Sequence, residues 1–185
     1  LFIRAFPEPS SAVTMIIKDM EELGRYSLVR KVGMGGMAEI WKAKVSGPAG
    51  FEKILAIKKV HEELSDEEEF VEMFIEEAKL AAQLVHPNIV QVFDFGLSSQ
   101  HNYFIAMEYV AGTNLAHLQR RLQKSQVALP LTTALYFASE ACKGLAYAHR
   151  ATNENGKTLG IIHRDISPQN FLISMGGEVK ITDFG

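Results

Sequence analysis

Residues 31–45 read KVGMGGMAEIWKAKV, a strand-like run broken by Gly33, Gly35 and Gly36 and continued by Ala38-Glu39-Ile40-Trp41-Lys42-Ala43. After the glycines the pattern alternates with period two, so a strand follows them and not a helix. That order separates the folds that use such loops. A dinucleotide-binding unit runs strand, glycines, helix. A Walker A loop ends in Gly-Lys-Ser/Thr, which is absent. What remains is a hairpin whose glycine turn keeps side chains away from its backbone, so that phosphate can lie against it. An ordinary glycine hairpin with no ligand stays open on this motif alone.

Outward from this hairpin, residues 26–32 form the strand that enters it. Residues 46–50 form a turn, and residues 54–60 a third strand. A helix is expected from about residue 65 to 84. Ser65 and Glu68 make a capping box there, and Asp66, Glu67, Glu68 and Glu69 lie on the positive end of the dipole. It stops before His86-Pro87. Two more strands follow at 89–95 and 103–109. Beyond Gly112 the pattern turns helical, with a long apolar helix over 131–149 and a polar loop over 151–160. Two short strands at 171–174 and 179–182 flank Gly176-Gly177. The expected class is α+β, a strand-rich half with one helix and then a helical half.

Composition limits the function classes. The chain has 185 residues, 47 % hydrophobic, a net charge of −3 and one cysteine, Cys142. Disorder, a disulfide scaffold and a basic nucleic-acid footprint are all disfavoured. No apolar run approaches the ~18 residues of a membrane span, so a cytoplasmic protein without a membrane segment is expected. Six histidines show no zinc spacing. Cys142 is expected in the core of its apolar helix. Residues 1–23 are expected to be a flexible extension, with Met15 a candidate start.

Lys58 and Lys59 both interrupt the apolar strand 54–60, and periodicity does not choose between them. On the helix, Met73, Glu77, Leu80 and Leu84 fall on one stripe, while Glu69, Glu72, Glu76, Lys79 and Gln83 form the polar face. Glu77 is therefore the one acid on the inward side. A buried carboxylate needs a cation, and a strand lysine beside the glycine loop supplies one. Snorkelling of Glu77 at the stripe edge is the alternative.

A two-residue Gly176-Gly177 turn would set opposed residues to sum to 353, placing Asn170 opposite Asp183 with Cβ atoms about 5 Å apart. Two hard oxygen donors at that separation suit Mg²⁺. Asp94-Phe95-Gly96 repeats the terminal Asp-Phe-Gly triplet but has no Asp or Asn partner, and is expected to be a strand end and turn. His163 is expected to be structural.

Together these residues resemble the eukaryotic-type protein kinase family, in the form found in bacterial serine/threonine kinases. Gly33-x-Gly35-x-x-Ala38-x-Ile40 matches its glycine loop, and Leu55-Ala56-Ile57-Lys58 its strand lysine motif, which selects Lys58. Glu77 matches its helix glutamate, His163-Arg164-Asp165 with Asn170 its catalytic loop, and Asp183-Phe184-Gly185 its metal motif. Five motifs in order are far more specific than any one.

The resemblance implies a bilobal fold with a complete small lobe over 24–110 and an incomplete helical large lobe over 111–185. It implies ATP and Mg²⁺ as cofactors and a protein substrate. Lys58, held by Glu77, would contact the phosphates, Asn170 and Asp183 would hold Mg²⁺, and Asp165 would orient the substrate hydroxyl. Gly33, Met34, Gly35 and Gly36 would cover the phosphates. Ile40, Ala56 and Leu172 would sandwich the base, with Met107 as gatekeeper and Glu108 and Val110 as hinge.

Ser167 departs from the family, whose serine/threonine members usually carry a lysine there. The sequence ends at the metal motif, so the 185-residue chain is expected to be a truncated domain that is inactive alone, with an exposed apolar patch on helix 131–149. A nucleotide-binding module that does not phosphorylate, or a small-molecule phosphotransferase, remains an alternative.

Overall fold

The computed structural model describes residues 22–184 apart from Gln100. Most of the expected extension 1–23, including Met15, lies outside the described residues, as does Gly185. The expected boundary at 24 falls inside the fold, because Glu22–Leu23 already form β1 and Leu23 is buried.

Six strands make one antiparallel sheet: β1, β2 (Tyr26–Met34), β3 (Ala38–Ser46), β4 (Glu52–Val60), β5 (Val92–Leu97) and β6 (Tyr103–Glu108), in the order β1-β2-β3-β4-β6-β5. Alternation along each strand divides the apolar residues between two faces. Leu28, Ala43, Leu55, Ile57, Phe104 and Ala106 pack with Leu23 and Tyr26 in one cluster. Ala38, Ala56, Val60, Ile105 and Met107 form a second cluster with Phe74, Ala78 and Val90.

Phe74 and Ala78 belong to α1 (Glu68–Ala82), and two expectations about this helix are corrected. Its N-cap is Glu67, which makes no side-chain cap bond, so the Ser65–Glu68 capping box does not form. A tight 3₁₀ turn at Glu62–Leu64 comes first, and the Ser65 amide closes it on the Glu62 carbonyl. The Ser65 hydroxyl donates instead to Asn102 Oδ1 at 2.7 Å and to the His61 carbonyl at 3.2 Å. The buried stripe is centred on Phe74 and Ala78, while Met73 is 44 % exposed. The helix is turned by about one residue, or ~100°, from the expected stripe, which keeps Glu77 on the inward flank. The polar face Glu69, Glu72, Glu76, Lys79 and Gln83 is exposed as expected.

The expected strand 89–95 divides its partners. β5 begins only at Val92, while Ile89 bridges in parallel to Ile181, and the Val90 amide donates to the Ile181 carbonyl at 2.8 Å. This corner ties the first sheet to a second one of β7 (Gly112–Asn114), β8 (Phe171–Ser174) and β9 (Val179–Ile181). Only glycine fits at 112, since a Cβ there would lie 1.9 Å from the Ile173 carbonyl oxygen. Asn114 Oδ1 accepts from the His117 amide and caps α2 (Leu115–Lys124).

α3 (Leu131–Arg150) buries Ala141, Gly144 and Ala148. Small residues let it approach the corner, where a Cβ on Gly144 would stand 3.0 Å from the Asn88 carbonyl. Cys142 points away from this stripe and is exposed, which corrects the core expectation. Leu131, Leu135 and Tyr136 are exposed on the same helix, an apolar surface of the kind expected.

Asp94-Phe95-Gly96 lies inside β5 and not at a strand end. Asp94 Oδ2 accepts from the Tyr26 hydroxyl at 2.7 Å and from Arg25, and Phe95 stacks on Tyr103. The triplet's role is structural.

Candidate functional site

β4 places Lys58 opposite Ile40 of β3 and Ile105 of β6. Its side chain reaches α1, where Nζ donates to Glu77 Oε1 at 2.6 Å and Oε2 at 2.8 Å, and also to Asp183 Oδ1 at 2.8 Å. Lys59 alternates away, and its ammonium stands 3.6 Å from Glu62. Burial decides the Lys58 contact, because both the lysine and Glu77 side chains are less than one-fifth exposed.

One ammonium here serves two carboxylates. Burial alone would lower the Lys58 pKa, but Asp183 and Glu77 outweigh it and hold the group above its ordinary value. Glu77 is pushed up from the ordinary carboxylate value, first by burial, with the Asp183 charge adding to it against the pull of Lys58. A raised carboxylate pKa means the folded state binds the extra proton, so this contribution to stability falls as pH rises through the folded pKa. Between the ordinary 4.5 and that raised value, acidification favours the wild type over Glu77→Gln. Melting curves of both proteins from pH 7 downward should show the Tm difference moving toward the wild type. A difference that moves the other way overturns the assignment.

Asp183 does not oppose Asn170 in the ladder. The observed pairs are Phe171–Ile181, Leu172–Lys180 and Ile173–Val179, and the Thr182 amide donates to the Asn170 carbonyl. The loop has three residues, Met175, Gly176 and Gly177. Gly177 has φ +86°, and the Ser174 hydroxyl oxygen accepts from the Gly176 and Glu178 amides. A three-residue loop ending on a left-handed glycine shifts the register by one from the two-residue expectation, and such a shift reverses which face each residue presents. Asp183 follows β9 at φ +59°, and its carboxylate turns to Lys58.

Residues 163–170 are anchored to the end of the same strand. His163 is 2 % exposed, with Nε2 donating to the Thr182 carbonyl at 2.9 Å, Nδ1 accepting from the Asp165 amide and its ring 4.5 Å from Phe184. Arg164 takes a left-handed φ of +64° between them. Asn170 ends a 3₁₀ turn, Pro168–Asn170, and its Nδ2 donates to Asp165 Oδ2 at 2.9 Å and to the Asp165 carbonyl at 3.0 Å. Asp165 itself is exposed. The donor set fits Mg²⁺. The Asn170 amide nitrogen is committed to Asp165, which leaves its carbonyl oxygen for a cation, and Asp183 retains Oδ2 beyond its Lys58 contact. Such hard oxygens suit a cation that keeps water and phosphate ligands; among the described residues no three His, Cys, Asp or Glu side chains converge.

Ile40, Ala56, Met107, Val110 and Leu172 all join one apolar cluster, with Met107 directly opposite Ala56. Met107 also lines a cavity of about 20 Å³ with Lys58, Glu77 and Asp183. At the glycine turn the Gly35 amide donates to the Ala38 carbonyl at 2.8 Å, Met34 is exposed, and nothing lies within 4 Å of where a Gly36 Cβ would be. Gly33 pairs with Ile40 across the hairpin. Glu108 does more than the hinge expectation assigned to its backbone: Oε1 accepts from the buried Lys180 Nζ at 3.0 Å and joins β6 to β9. A lone lysine in the apolar Val179-Lys180-Ile181 was a signal for such a pair.

The family model described as the protein kinase domain matches residues 26–185. The chain is 44 % identical over 166 residues to the tyrosine-protein kinase MasK of Myxococcus xanthus, covering 90 % of this chain and 26 % of that protein. It is 41 % identical to the probable serine/threonine-protein kinase pknA2 of Bifidobacterium longum, covering 88 % of this chain and 20 % of that one. For the serine/threonine-protein kinase PknA of Mycobacterium tuberculosis the identity is 37 %, covering 88 % and 35 %. The solved kinase domain of Mycobacterium tuberculosis PknI superposes with a TM-score of 0.68 at 28 % identity, over 89 % of this chain and 61 % of that one. The chain thus spans between a fifth and about a third of the length of these curated relatives.

Proposed function

We propose, because this chain belongs to the protein kinase family, that it binds ATP with Mg²⁺ and moves the terminal phosphoryl group to hydroxyl groups of proteins. The observation that carries this reading is the Lys58 ammonium shared between Glu77 and Asp183, side chains 19 and 125 residues away in sequence. A buried lysine brought together with two acids from distant segments is the kind of titratable cluster that functional sites assemble. Lys58 is held in place by Glu77 and meets phosphate oxygens at the mouth of the glycine turn. Asn170 and Asp183 would hold Mg²⁺, whose charge offsets that of the phosphates. Asp165, fixed by Asn170 and left exposed, accepts or orients the acceptor hydroxyl proton. Gly33, Met34, Gly35 and Gly36 cover the phosphates. Ile40, Ala56 and Leu172 flank the base beside Met107, with the Glu108 and Val110 backbone at its edge. A small lobe ending near 110 and a partial large lobe over 111–185 are part of the same proposal.

The acceptor is proposed to be serine or threonine, as named for pknA2 and PknA. The name of MasK favours tyrosine as a second reading. Incubating the chain with Mg²⁺ and γ-labelled ATP, with and without a generic protein substrate, tests both. Nucleotide binding by calorimetry is the primary readout, and phosphoamino-acid analysis of any labelled protein separates the acceptors. Absence of measurable Mg-ATP binding overturns the reading. Binding without transfer is the outcome expected for this length of chain, which covers 61 % of the PknI kinase domain, and robust transfer overturns that expectation.

A further inference from the structure

The glycine turn is held by a residue outside its own hairpin. His61 directly follows β4, three residues after Lys58. Its Nε2 donates to the Gly35 carbonyl at 2.9 Å, and its backbone amide donates to the Met37 carbonyl at 3.1 Å. Both bonds go to the turn Gly35-Gly36-Met37, one on each side of Gly36. A carbonyl oxygen only accepts, so the ring nitrogen at Gly35 carries its hydrogen.

His61 is itself fixed from behind. Its carbonyl accepts from the Leu64 amide at 3.0 Å and from the Ser65 hydroxyl at 3.2 Å. Ser65 in turn donates to Asn102 Oδ1 at 2.7 Å, and Asn102 is 3 % exposed, bonded through its amide to the Ser98 hydroxyl. A buried corner between β5 and β6 thus braces the turn at 62–65, and that turn presents the imidazole to the glycines. Nothing packs on the Gly36 position, so backbone bonds have to supply what side-chain packing does not. A glycine run has large conformational freedom to lose when a ligand orders it, and a preformed turn removes part of that cost.

We propose that His61 is a positioning residue that pins the glycine turn in register with Lys58, so that the turn and the ammonium face the same phosphates. This rests on the nucleotide reading above. Because β4 carries Lys58 and leads directly into His61, the two parts of the phosphate site are set by one strand end. The role belongs to the phosphate side: both His61 bonds to the hairpin go to Gly35 and Met37 of the glycine turn.

The test measures affinity of the full chain for Mg-ATP and, separately, for adenosine, in wild type, His61→Ala and His61→Gln. Loss of one neutral hydrogen bond is expected to weaken Mg-ATP about three- to tenfold in His61→Ala, with adenosine affinity unchanged. Gln carries an N–H on a side chain of similar reach, and its restoring at least part of the Mg-ATP affinity is the sign of positioning. Equal weakening of both ligands, or unchanged Mg-ATP affinity in His61→Ala, overturns the proposal. So does a Gln variant no better than Ala while adenosine binding shows the fold intact. A wild-type chain that binds neither ligand removes the nucleotide reading itself, and the His61 assignment with it.

Discussion

Lys58→Met is expected to lower Mg-ATP affinity, and any phosphoryl transfer the wild type shows, by on the order of 10²-fold or more. Methionine keeps most of the apolar stem and removes only the ammonium. The lost group is the one cation that Glu77 and Asp183 share, with contacts of 2.6 to 2.8 Å. Without it, two carboxylates face an incoming polyanion and no side-chain ammonium offsets them. The same change lets α1 drift, because Glu77 is its tie to β4 at this point. Calorimetric titration with Mg-ATP and adenosine, alongside circular dichroism, checks it. The expected pattern is a folded protein that binds adenosine but loses the gain from phosphates. Undiminished Mg-ATP binding would falsify the assignment of Lys58.

Asp183→Asn should abolish the Mg²⁺ dependence of nucleotide binding, and transfer should fall by on the order of 10²-fold or more. Asparagine is the right substitution for physical reasons. Asp183 sits at φ +59°, a region that asparagine tolerates and most other residues do not, so the backbone should survive. The variant removes the carboxylate that Asn170 cannot replace. It also lifts a negative charge from beside Glu77, which should let the Glu77 pKa fall back toward its ordinary value, since Asp183 is one cause of its rise. Titrating nucleotide affinity against Mg²⁺ concentration in wild type and variant is decisive. A variant with the same Mg²⁺ response as wild type places the cation on other ligands.

The order of elements was legible because each strand here carries its own alternation and the glycines of residues 33–36 precede a strand. Glu77 was legible because an acid on the inward side of a helix demands a partner. Three of the local readings that went astray show a neighbour outcompeting a local rule. Ser65 has the sequence of a cap, but Asn102, 37 residues on, takes its hydroxyl. Gly176-Gly177 has the sequence of a two-residue turn, but the Ser174 side chain closes a three-residue one. Cys142 lies in an apolar helix, but only the stripe of Ala141, Gly144 and Ala148 meets the core.

Five motifs in order were enough to point to the family and to nominate the candidate side chains, and residue spacing gave the α+β order of elements, because that order depends on short-range period and on the cost of burying charge. The tertiary structure alone decided how those side chains meet. Asp183, itself left-handed just past β9, reaches Lys58, Asn170 turns its nitrogen to Asp165, and His61 grips the glycine turn from just past β4. Such contacts join residues up to 125 positions apart and depend on one-residue registers, and no periodicity within either partner encodes them.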